Sequence, residues 1–177
     1  MLFRSGNVFG ISTVVAGLAI PISTTTSPIM ALWNPAGSGK NAVLLRYTYG
    51  YVSGTTVAGA IGFTYQVNAG NTVATGAVYT AFNAATPFNA LLGGGNVSAM
   101  RSSAAATNTL TAASTNTFLY IGGESALISS TAMNGYTFVY DFEGSIIVPP
   151  GVTIYPVGTA ASGALIAQSL WWIEVPV

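Results

Sequence analysis

The sequence predicts an all-β chain that folds as one antiparallel sandwich or barrel. Three observations carry this expectation. The 21 Gly and 8 Pro are scattered along 177 residues. With Asn and Ser they cut the chain into apolar runs of about 5–10 residues, the punctuation of strands and turns. Several runs alternate with period two, as strands do when one face is buried. Helix signals are poor. Only Phe88–Leu92, after Pro87, reads as a short helical turn, closed by Gly93-Gly94-Gly95. Roughly 8–10 short strands are expected.

Residues 1–30 are expected to form an N-terminal arm or a first strand. Arg4 and the apolar stretch Val8–Ile22 superficially mimic a secretory signal. Gly10, Ser12, Thr13 and Gly17 break that stretch, and a membrane helix needs roughly 20 apolar residues. Residues 31–177 then make a single domain, a length that supports a full core.

The first clear strand is Ala42–Val52. Val43, Leu45, Tyr47, Tyr49 and Tyr51 alternate with Leu44, Arg46, Thr48 and Gly50. Gly59–Val67 repeats the pattern, with Ile61, Phe63, Tyr65 and Val67 on one face. Ser53-Gly54-Thr55-Thr56 lies between the two strands as a turn, so an antiparallel hairpin is expected. Weaker strands are expected at Ala77–Phe82, Asn96–Met100 and Thr117–Ile121. Arg101–Asn116 is nearly all Ser, Ala, Thr and Asn. It reads as a long surface loop or as a strand with small residues on both faces.

Tyr136–Glu143 places Tyr136, Phe138, Tyr140 and Phe142 on one face. Thr137, Val139, Asp141 and Glu143 lie on the other. Ser145–Val148 continues it. Pro149-Pro150-Gly151 makes a tight turn, because Pro presets φ and Gly accepts positive φ. Val152–Val157 follows. The last strand, Leu165–Val175, sets Trp171, Ile173 and Val175 against Leu170, Trp172 and Glu174.

Composition excludes several chemistries. There is no Cys and no His. Disulfides, thiolate metal sites and His-based triads are therefore absent. Four Lys+Arg balance four Asp+Glu, so nothing neutralises a phosphate backbone and nucleic acid is not an expected partner. Charged residues are 5% of the chain, against roughly 25% in ordinary domains. The second faces of the strands are Thr, Gly, Ala and Ser where a monomer would place Lys and Glu. Such faces are expected to be covered by identical subunits or a lattice.

The motifs are weak. Asn34-Pro35-Ala36-Gly37-Ser38-Gly39-Lys40-Asn41 imitates a phosphate-binding loop, but Asn34 and Asn41 stand where Gly and Ser or Thr are required. It reads as a turn. Asp141 and Glu143, roughly 7 Å apart by strand rise, could serve a glycosidase or a Ca²⁺ site. An ion pair with Arg46 or Arg101 fits this chain better. Trp171 and Trp172 face opposite ways, so one belongs to the core and the other to an interface. Asn96-Val97-Ser98 is a glycosylation sequon of a kind common by chance. No catalytic, cofactor-binding or metal-ligating residue is assigned. With so few charges, each marks an expected contact. The expected interface set is Arg4, Arg46, Arg101, Asp141, Glu143, Trp33 and Trp172.

The run Leu32–Asn41, the strand Val43-Leu44-Leu45-Arg46 and the segment Thr55-Thr56-Val57-Ala58-Gly59 resemble small structural proteins of tailed bacteriophage virions. Ile146–Ile154 is similar to the late strand–turn–strand of jelly-roll proteins in that setting. The resemblance runs from about Leu32 onward as a strand-and-turn pattern. It implies a jelly-roll-like sandwich and a non-enzymatic role as a capsid decoration or cement protein. It further implies homotrimers, contact with a major capsid protein or another virion protein, and a place on the particle surface. No small-molecule substrate or cofactor is expected. Two alternatives remain open: an eight-stranded β-barrel membrane protein, and a tail or surface glycan-binding adhesin module using Trp33 or Trp172.

Overall fold

A computed structural model of the chain describes residues 6–21, 26–67, 79–105, 108–114, 117–124 and 137–177. The N-terminal half holds β1 (Val8–Ser12), β2 (Ala31–Asn34), β3 (Lys40–Ser53) and β4 (Gly59–Val67). A middle stretch follows with β5 (Tyr79–Ala81), β6 (Phe88–Asn89), β7 (Arg101–Ser103) and β8 (Thr109–Leu110). The C-terminal half holds β9 (Thr117–Glu124), β10 (Thr137–Asp141), β11 (Ile147–Val148), β12 (Val152–Gly158) and β13 (Leu165–Pro176). No helix occurs among the described residues.

Two antiparallel sheets carry the fold. The first has the order β10-β3-β13-β1-β6, with β11 also on β3. The second has the order β7-β2-β12-β4-β9. The pairings are nested: β4 with β9, β3 with β10, β2 with β12 and β1 with β13. The chain behaves as one long hairpin, folded in half after β4 and rolled up. That is the double Greek key of a jelly roll.

The sheets enclose an aromatic and aliphatic core. Phe9, Leu32, Leu44, Tyr47, Phe63, Phe142, Ile154 and Trp172 all lie in it. Tyr47 and Phe63 meet edge to face across the two sheets, with ring centroids 5.0 Å apart. Tyr47 donates its buried hydroxyl to Gln168 Oε1 at 2.7 Å, so the polar tip is satisfied.

Several expectations are corrected. β3 and β4 are not a hairpin, because they lie in different sheets and the Ser53–Thr56 segment crosses between them. The Pro149-Pro150-Gly151 turn forms as expected, with Gly151 at φ 85, but it too crosses sheets. Phe88–Leu92 is not helical. Phe88 and Asn89 form a short edge strand on β1. The strand expected at Asn96–Met100 begins only at Arg101, and Arg101–Asn116 contributes two short strands, β7 and β8. The first segment takes the strand alternative, since β1 sits inside its sheet between β13 and β6. Glu143 lies past the end of β10, in a turn at φ 52, so it does not share a strand with Asp141. Ala77 and Tyr136, the first residues of two expected strands, lie outside the described residues.

β3 falls out of step with β13 at two places, Val52 and Leu45, and the second lies in its core stretch. Ala42 and Leu44 point into the core, then Tyr47 and Tyr49 do. Trp172 pairs with Leu44 and Trp171 with Arg46, so Leu45 is the extra residue of a β-bulge. One inserted residue exchanges the faces. Val43 and Leu45 therefore lie opposite the face expected for them.

Candidate functional site: an uncovered sheet face

The two sheets treat their outer faces differently. The outer face of the second sheet carries Ala31, Trp33, Tyr155 and Val157. The chain itself covers it, with Tyr79, Phe82 and Leu110 from β5, β8 and their flanks. Trp33 and Phe82 meet edge to face at 5.6 Å, and Tyr79 Oη lies 2.8 Å from Thr153 Oγ1. Thr64 donates to Ser114 at 2.7 Å beneath the same flap. Thr64 is buried, on a strand face expected to be covered by another subunit, and its cover comes from the same chain.

The outer face of the first sheet has no such flap among the described residues. Its side chains line up in rows, because antiparallel register brings partners face to face. One row crosses all five strands as Asp141, Arg46, Trp171, Gly10 and Phe88. The next row reads Val139, Thr48, Ser169 and Ser12. Ser12 donates to Ser169 at 2.9 Å. A third reads Thr137, Gly50 and Ala167.

Asp141, Arg46 and Trp171 of the first row, with Thr48 of the second, line an open groove of about 660 Å³. Arg46 Nε donates to Asp141 Oδ1 at 2.5 Å, and both side chains are about half exposed. The hydrogen bond to Asp141, reinforced by its charge, holds the Arg46 guanidinium above its ordinary range. Trp171 lies half-buried beside them, its ring meeting Phe88 edge to face at 4.8 Å. Gly10 leaves room for the Phe88 ring, which a larger residue would displace. A Cβ there would stand 2.5 Å from the Phe88 ring. Glu143 completes the rim, on a turn that bulges out between β10 and β11. Non-glycine residues in the left-handed region are uncommon and carry strain.

The structure thus brings Arg46, Asp141 and Glu143 together and leaves Arg101 apart. Arg101 lies on the edge strand β7, its guanidinium carbon 5.2 Å from the centroid of the Trp33 ring. Arg4 lies outside the described residues. Trp33 and Trp172 are core residues, both 0% exposed, so neither is an interface residue of the folded chain. Trp171 takes the place expected for Trp172. Sequence reasoning missed Trp171, although its strand phase carried the signal. It alternates with the core residues Leu170 and Trp172, in step with Ser169 and Ala167.

Chemically the groove offers a guanidinium–carboxylate pair, a second carboxylate, hydroxyls and an indole. These groups suit hydrogen bonding and stacking. Among the described residues no three His, Cys, Asp or Glu side chains converge. No family model matches the chain, and neither does any curated protein or any solved structure.

Proposed function

We propose that the chain is a non-enzymatic structural protein of a bacteriophage virion, a capsid decoration or cement protein that works as a homotrimer. One observation carries the reading: no described residue covers the outer face of the first sheet, and its polar groups are almost all uncharged. Beyond the Arg46–Asp141 pair its rows hold Trp171, Phe88 and otherwise Thr, Ser, Ala, Gly and Val. Aliphatic side chains also stand out at loop tips, with Val15 93% and Leu92 86% exposed. A soluble monomer with this surface would associate. Cementing follows from that tendency. Neutral faces are buried between subunits and against a major capsid protein or another virion protein, and the shell is held by area and hydrogen bonds.

Cryo-electron microscopy of the particle made by the genome that encodes the chain tests this. Trimers of the sandwich on the head surface are expected. A particle without them overturns the reading.

A specific observation favours one second reading, a glycan-binding module. The groove sets the Trp171 indole beside paired charges, an arrangement that suits a sugar ring. Glycan binding abolished by Trp171→Ala would support it. The β-barrel alternative requires one closed sheet, whereas this chain stacks two sheets around a packed core.

A further inference from the structure

Six charged side chains can be placed among the described residues, and four are already paired. Lys40 bridges to Glu174 at 3.3 Å, and Arg46 to Asp141. Two remain without an ion-pair partner among the described residues: Arg101 and Glu143. They are opposite in sign, both are exposed, and they lie on different outer surfaces of the sandwich.

Each is held ready. Arg101 lies over Trp33, its guanidinium carbon 5.2 Å from the ring centroid. A stacked guanidinium still presents its N–H edge in the plane of the group, and that fork matches a carboxylate. Glu143 is held at φ 52 at the rim of the groove, beside the Asp141–Arg46 pair and Trp171. The rim carries two carboxylates against one guanidinium, an excess of one negative charge. A second guanidinium entering there would find the Glu143 carboxylate to bridge and the Trp171 indole to stack on.

We infer that the groove on the first sheet receives Arg101 of a second copy of this chain, so that Arg101 of one subunit pairs with Glu143 of the next. The inference rests on the assembly reading above and specifies its contact. Symmetry supports the pairing. A two-fold, patch-on-itself contact at the groove would set one negatively charged rim against another, a like-charge juxtaposition. A head-to-tail contact joins two different patches and matches opposite charges. Head-to-tail contacts that close generate rings, and a trimer is such a ring. The contact needs no further charge, in keeping with a chain of formal net charge zero.

Charge exchange in the full-length chain tests this, read by sedimentation velocity across a concentration series. Arg101→Glu and Glu143→Arg should each weaken assembly at least about tenfold, since close interfacial charge pairs couple by that much or more. The double variant carrying both reversals should recover assembly to within about threefold of the unaltered chain. Glu143→Gly separates contact from fold. Glycine relieves the left-handed backbone, so the melting temperature should rise while assembly weakens. The contact is overturned if the single reversals leave assembly unchanged, or if the double variant is no better than the singles. An unaltered chain that stays monomeric at every concentration overturns the assembly reading itself, and this contact with it.

Discussion

Glu174 is an acid whose side chain is shut away from water, 0% exposed. It accepts hydrogen bonds from Lys40 Nζ, Ser98 Oγ, the Ala99 amide and Trp172 Nε1. Each of these groups donates to the carboxylate. Through them the last strand ties down the loop before β7. Glu174→Gln turns one acceptor into a donor facing donors. Urea unfolding should register a loss of about 1–3 kcal/mol. Lys40→Ala should lose less, because the Lys40 side chain is 36% exposed and water replaces its partner. Equal losses would place the stability in the ion pair instead of the cradle of donors. The tyrosines set the pH response. Burial raises Tyr47 well above its ordinary value, and it also raises Tyr79 and Tyr155. The unfolded chain releases these protons near pH 10, before the folded chain does. Their contribution is therefore full below about pH 10 and is lost as pH climbs above it. With no His in the chain, no imidazole titrates across pH 5–8. Melting temperatures should stay flat through that range and fall on the alkaline side, less steeply in Tyr79→Phe.

At the scale of elements, glycines mark where strands come too close for a Cβ. Gly62, inside β4, is one: a Cβ there would stand 2.5 Å from the Leu119 carbonyl oxygen on β9. Backbone cannot swing aside as a side-chain tip can. Gly62→Ala should destabilise by about 1–3 kcal/mol. Gly95→Ala, with nothing within 4 Å, should be near neutral. A calorimetric comparison of the two variants checks this. Element phase was largely legible in the sequence. The alternation of β13 holds along most of its length: its even-numbered residues from Ile166 to Glu174 are buried, and of the odd-numbered ones between them Ile173 is buried too. Partnership was not legible. The β3–β4 hairpin was inferred from a short turn, but alternation reports that a strand is half-buried and not which sheet it joins. The Leu45 bulge was hidden for a similar reason. Val43-Leu44-Leu45 reads as apolar in either phase, and only the partner strand fixes the slip.

The whole molecule accounts for part of its low charge by itself. Trp33 read as a surface residue because its burial comes from Tyr79 and Phe82, far along the chain. That flap covers one neutral sheet face in cis. Sequence alone could not show it, since nothing local marks which distant segment folds back. The remaining neutral face, with its groove, is the one the account assigns to a neighbouring subunit. The candidate site was half legible. Arg46, Asp141 and Glu143 were named from charge scarcity, whereas Trp171 and Phe88 join them only through cross-strand register. An interface of neutral faces with one desolvated ion pair per contact is little screened by salt. Sedimentation velocity of the purified chain, at about 0.1 M and about 1 M salt, tests this central claim most directly. The account predicts one species at three times the 18.0 kDa chain mass in both conditions. A monomer at every concentration, or a trimer that dissociates in the higher salt, would contradict it.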